Sequence, residues 1–255
     1  VLGEDYYPLH LPGYDRMILM VFYLESVYGK NWADPATCTL NYTREEIATG
    51  FDFIRSLVEH HVLMPLPKYY GINGENLVYQ SAEWITGKVA GFFEWDSSAP
   101  KYEDALDEAN RPGFTVGDEI KFGDYNGGFT KLSMGLAITQ TCQHPAEGAM
   151  LINYLLNEEE GAAIMGSACG LPASKSGLAA AEAAGAINPV VEEANKKIMS
   201  FCAFEHDPLF EDEMLKGVGT GVYQQVFDTM DYDNAPSEEL VDLLLDGLES
   251  VGYIV

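Results

Sequence analysis

The 255-residue chain carries 40 Asp and Glu against 14 Lys and Arg, a formal net charge of −26. That charge repels nucleic acid and anionic membrane surfaces, so neither is an expected partner. Cys38, Cys142, Cys169 and Cys202 contain no CxxC pair, and with five scattered histidines they give no zinc-site spacing, while one disulfide remains open without a defined pairing.

The chain opens VLGEDYYPLH, with neither a basic segment nor an initiator Met, which suggests a processed product or an excised fragment. The densest apolar run, MILMVFYL, ends after eight residues and is too short to span a membrane. It lies in YDRMILMVFYLESVYG, which reads as a largely buried helix stopped by Gly29. A second helix opens on the capping box of Thr43 and Glu46, and Ile47, Phe51, Ile54 and Val58 then mark one face down to about His60. The His60–His61 pair reads as a solvated helix end. PLPKYYGINGEN reads as a loop because of its prolines and glycines.

YQSAEWITG is a short helix ending at Gly87, and KVAGFFEW then reads as a buried strand. DALDEANRPG is a helix and stop, FTVGDEIKF a strand, DYNGGF a turn, and TKLSMGLAIT strand-like. HPAEGAMLINYLLNEEEGAAIMG is the clearest helical region, with Pro145 at a favoured first position and Gly166 as its stop. After the connector GLPASKSG come helices over 176–184, 189–202 and 211–230, and a last one capped by Ser237. Helices interleaved with short strands, then helices alone, imply an α/β fold with a helical C-terminal layer.

A sugar offers apolar C–H faces and a rim of hydroxyls, so its site needs an aromatic ring and carboxylates or amides. GFFEWDSSAP, residues 91–100, supplies both at the end of the expected strand. Alternation along that strand would put Phe93 and Trp95 on one face and Phe92, Glu94 and Asp96 on the other. Phe92 and Phe93 read as core. Trp95 is the candidate shelf, and Asp96 is a candidate hydroxyl acceptor or a cap for the following turn. Glu94 and Asp96 on one face would also suit a glycoside hydrolase-like carbohydrate-active domain, the alternative reading. No GxSxG, HExxH or phosphate-cradling glycine loop accompanies them.

Three stretches in order, WITGKVAGFFEW, GLAITQTCQHPAEGAMLINYLLNEEEG and GLPASKSG, resemble the family 1, maltose-binding-protein-like extracellular solute-binding proteins of sugar ABC transporters. The segment from YYPLHLPGYDRMILMVFYLESVYGKNW through YTREEIATGFDFIRSLVEHHV is similar to the part preceding the first of these. The resemblance implies a periplasmic-binding-protein-like lobe of type II with most of the N-terminal lobe missing. Residues 1–127 and 171–255 would form the second lobe, and 128–170 a segment crossing to the first, with hinge turns at DYNGG and GLPAS. It implies sugar binding outside the cell, in a periplasmic or lipid-anchored monomer that serves permease subunits, without catalysis or cofactor. By the same resemblance Tyr6, Tyr7, Tyr125 and Phe210 join Trp95 and Asp96 as ligand contacts. A chain with half of its cleft elsewhere would be a non-binding fragment, the remaining alternative.

Overall fold

The computed structural model describes residues 6–74, 77–111, 113–117, 120–130, 134–202, 204–205 and 207–255. In chain order the first elements are helices α1 (Gly13–Tyr28), α2 (Arg44–Glu59), α3 (Leu66–Asn73), α4 (Ala82–Ile85) and α5 (Ala99–Glu108). Strands β1 (Ile120–Phe122), β2 (Tyr125–Gly127) and β3 (Phe129–Thr130) follow. Then come α6 (Pro145–Asn157), α7 (Glu159–Met165), α8 (Lys175–Ala183), α9 (Pro189–Phe201), β4 (Phe204–Glu205), α10 (Glu213–Lys216), α11 (Val222–Tyr232) and α12 (Ser237–Val251). β1 and β2 form an antiparallel hairpin, and β3 pairs in parallel with β4. The chain packs as two units: residues 1–93, 119–130 and 202–255, and residues 94–118 and 131–201. Residues 94–118 and 131–201 thus pack together as one unit.

The first unit is built on four long helices. Met17, Met20, Val21 and Leu24 of α1, Ile47, Phe51 and Ile54 of α2, Phe227 of α11 and Leu240, Leu244 and Leu248 of α12 are all buried. Phe51 and Phe227 meet edge to face at 5.8 Å. Two glycines set how closely the helices approach. A Cβ on Gly50 would stand 2.7 Å from Met20 Cγ, and one on Gly247 would stand 2.4 Å from Val222 Cγ1, so neither site admits a side chain without movement.

Arg16 is 0% exposed within this core. Its guanidinium donates to Leu11 O (2.9 Å), Met64 O (2.5 Å) and Asp231 Oδ2 (2.8 Å), and that carboxylate oxygen also accepts from Leu66 N. A charge taken out of water at this depth persists because each of its three nitrogens has an acceptor. The α2 start is as expected: Thr43 Oγ1 accepts from Glu46 N, and Glu46 answers by accepting from Thr43 N. Gly29 closes α1 in the left-handed region, φ 67°.

The C-terminal residues are stitched into the same unit. Ile254 N donates to Cys38 O at 3.0 Å, and Leu40 N to Ile254 O at 2.8 Å. The buried Tyr253 hydroxyl donates to Asp207 Oδ1 at 2.6 Å, an oxygen that also accepts from Leu209 N and Phe210 N. Asp207 Oδ2 is buried with no hydrogen-bond partner among the described residues. Burial pushes the Asp207 carboxyl above its usual range, against those hydrogen bonds.

The second unit has a thinner core. It buries Ala99 and Tyr102 of α5, Ala162 of α7, Ala181 of α8, and Val191 and Ala194 of α9. α6 buries none of its residues.

Several expected elements are different. PLPKYYG carries α3, because Pro67 sits in the first turn, where a missing N–H costs nothing. KVAGFFEW is not a strand: only Gly91 bridges, in parallel to Leu9, and Phe92 is held by an edge-to-face contact with Trp84 at 4.9 Å. Of TKLSMGLAIT, Thr130 lies in β3, 131–133 fall outside the described residues, and 134–139 form neither helix nor paired strand among the described residues. The expected 211–230 helix is split by Gly217–Gly221 into α10 and α11. Pro236 is the N-cap of α12, and the Ser237 hydroxyl donates instead to Asp52 Oδ1 at 2.5 Å. All four cysteines are free thiols.

Candidate ligand-binding site

Trp95 and Asp96 fall in the second unit, where the chain passes from extended backbone at Trp95 into a single 3-10 turn, Asp96–Ser98. Asp96 opens the turn, with Oδ1 accepting from Ser97 N at 2.7 Å. Its Oδ2 accepts from Asn195 Nδ2 of α9 at 2.8 Å. Gly170 of the GLPAS connector lies alongside: an added Cβ would stand 3.8 Å from Ser97 Cβ and 3.9 Å from Asp96 Oδ1. Asp96, the residue that follows WITGKVAGFFEW, therefore lies beside the GLPASKSG stretch. An ionised carboxylate offers about four lone-pair positions, so two donors leave room for sugar hydroxyls. Trp95 is half-buried.

No strand spans Glu94 and Asp96, so alternation does not set them on one face. Glu94 Oε1 accepts from Trp95 N at 2.9 Å and its Oε2 from the Tyr102 hydroxyl at 3.3 Å. The paired-acid geometry of the hydrolase reading rested on strand alternation and loses that basis.

The other candidates lie in the first unit. The Tyr6 hydroxyl donates to Gly87 O at 2.9 Å and its ring is half-buried. Tyr7 is buried: it stacks on His61 at 5.2 Å and 13°, with Lys68 Nζ 4.8 Å from the ring centroid. His61 and Lys68 both pack against that ring. Phe210 is 0% exposed, enclosed with Tyr14 and Tyr223, so it is a core residue and its ring cannot cover a sugar here. The Tyr125 hydroxyl donates to Glu25 Oε2 at 2.5 Å, and burial raises the pKa of both groups. Asn195 was missed by the sequence reading, since it stands 99 positions from the carboxylate it holds. Among the described residues no cluster of three or more His, Cys, Asp or Glu could hold a metal ion, and no helix is long and apolar enough to cross a membrane.

No family model and no curated protein matches the sequence. Solved structures do match. The periplasmic oligogalacturonide-binding protein of Yersinia enterocolitica, solved with saturated digalacturonic acid, superposes with a TM-score of 0.75 at 25% identity, over 98% of this chain and 62% of that one. A family 1 extracellular solute-binding protein from Alicyclobacillus acidocaldarius matches at 0.61 and 12% identity, over 97% of this chain and 61% of that one. The fold is that of the family 1 extracellular solute-binding proteins. A de novo designed cysteine esterase also carries this solute-binding fold, with a TM-score of 0.70 and 24% identity over 98% of this chain and 61% of that one. The chain spans about three-fifths of the length of each of these neighbours.

Proposed function

We propose that the chain is part of a protein that binds a carbohydrate outside the cell and hands it to the permease of an ABC transporter, without catalysis. The observation that carries this reading is the match, along 98% of the chain, to a binding protein solved with digalacturonic acid. Trp95 and Asp96 are the proposed contacts, a ring for the C–H face and a carboxylate for hydroxyls. Tyr6 is a further candidate. The lobe is read as type II, and the crossing segment expected at 128–170 contains α6 and α7. The protein would be a periplasmic or surface-held monomer.

The test is a thermal and calorimetric titration of the chain with digalacturonate and with neutral disaccharides, at two salt concentrations. A ligand at about one hundred times its dissociation constant stabilises by about 2.7 kcal/mol, a shift of several degrees. A uronide approaching a chain of net charge −26 should bind better as salt rises, and a neutral sugar should be indifferent. Trp95→Ala should weaken the responding sugar about tenfold or more, in line with losing a well-packed aromatic contact. No response to any sugar would sink the proposal for this chain.

A further inference from the structure

Asp96 is held without a counter-charge. Its two oxygens accept from Ser97 N and from Asn195 Nδ2, both neutral donors, and among the described residues no cation pairs with it. α9 brings Asn195 and also carries Lys196 and Lys197, but successive residues of a helix point about 100° apart. Lys196 Nζ pairs with Glu192 Oε1, one turn back on the same helix. Lys197 Nζ stands 3.3 Å from Glu193 Oε1 and donates to Val116 O at 2.8 Å. An amide thus fills the position where a lysine or arginine would have neutralised the carboxylate. Its orientation follows from its partner, because an ionised carboxylate only accepts and Asn195 must turn its NH2 toward Asp96. Asn195 Oδ1 is then an acceptor that no donor among the described residues answers. Asp96 and Asn195 are both half-buried, and the exposed Glu94 adds a second negative charge to the stretch. What remains for a ligand at Asp96 is acceptor capacity and a full negative charge.

We propose, resting on the sugar-binding reading above, that this site selects saccharides that bring hydrogen-bond donors and no negative charge. Asn195 is the positioning residue that sets the selection, because it fixes Asp96 without cancelling its charge. A sugar hydroxyl donates to Asp96 in a charge-assisted hydrogen bond. The carboxylate of a uronide offers only acceptors there and a like charge, the repulsive element by which a site refuses the wrong partner. An amino sugar belongs to the accepted class, since its ammonium donates and carries the opposite charge. The neighbour solved with digalacturonic acid shares the fold at 25% identity, and a shared fold does not fix the charge of the sugar, which a few side chains decide.

The test titrates the chain calorimetrically with digalacturonate and with galactobiose, its neutral counterpart, in which a hydroxymethyl group replaces each carboxylate. Galactobiose should bind about tenfold tighter or more at low salt, and the gap should narrow as salt screens the repulsion. Asp96→Asn keeps the shape and removes the charge, so it should weaken galactobiose about tenfold, strengthen digalacturonate and close the gap. Asn195→Lys supplies the counter-charge and should raise digalacturonate affinity about tenfold. Asn195→Ala should weaken galactobiose without admitting digalacturonate, a split that a merely structural role would not produce. Melting temperatures near that of the unchanged chain show that the variants are folded. Digalacturonate binding as tightly as galactobiose would overturn the selection and leave the sugar-binding reading standing. A ratio that Asp96→Asn does not move would also overturn it, because the discrimination would then come from the overall charge of −26. No response to these or to other neutral disaccharides would remove the sugar-binding reading, and the selection with it.

Discussion

The two units of one chain use their apolar residues in opposite ways. The first closes its long helices over a continuous core, to the point of enclosing a guanidinium. The second buries mainly small side chains and leaves α6, its longest apolar helix, without one buried residue. Helix propensity is therefore a poor guide to which helices carry stability, since tertiary packing of the apolar face supplies most of it. By that measure the first unit carries the larger share of the packing stability.

That contrast can be broken at several points. The largest expected effect is Arg16→Ala, which would leave the Asp231 carboxylate (side chain 4% exposed) buried without its counter-charge. Losing one partner of such a pair costs about 3–5 kcal/mol, to be read from chemical denaturation of the chain. A loss below about 1 kcal/mol, the level of an exposed ion pair, would mean the first unit does not depend on its buried charge. Thr43→Ala comes next, at about 1 kcal/mol for a lost N-cap, checked by the denaturation midpoint at constant slope.

The smallest expected effect is a slope in pH. Asp207 has its folded pKa raised by burial, so the stability it confers is complete below the unfolded carboxyl value and is lost as pH rises through the folded one. Asp207→Asn should flatten that part of the melting-temperature profile above about pH 4, the usual Asp value. An unchanged profile would show that the buried carboxyl is not what titrates.

Local signals in the sequence were legible where chemistry and spacing coincide. The Thr43–Glu46 box, the Gly29 stop and the Ile47, Phe51, Ile54 stripe each needed only their own neighbours to be read. The resemblance, carried by three loose motifs in order, led to the same fold as the structural neighbours. What failed depended on remote partners or on one ambiguous residue. Prolines in PLPKYYG read as loop punctuation, but the same ring fits the first turn of α3. KVAGFFEW had strand composition and no ladder to join beyond Gly91, so its rings pack instead. Phe210 could not be told from a ligand shelf, because the rings enclosing it come from distant parts of the chain. Asp96 was visible, and the Asn195 amide that orients it was not.

The stitching of Tyr253 and Ile254 also sets what a cut in this stretch would cost. Cleavage just ahead of Tyr253 would release the bridge to Cys38 and Leu40 together with the hydroxyl that serves Asp207. A protease aimed at this stretch would therefore report whether the first unit is folded, because the bond becomes accessible only when those contacts open.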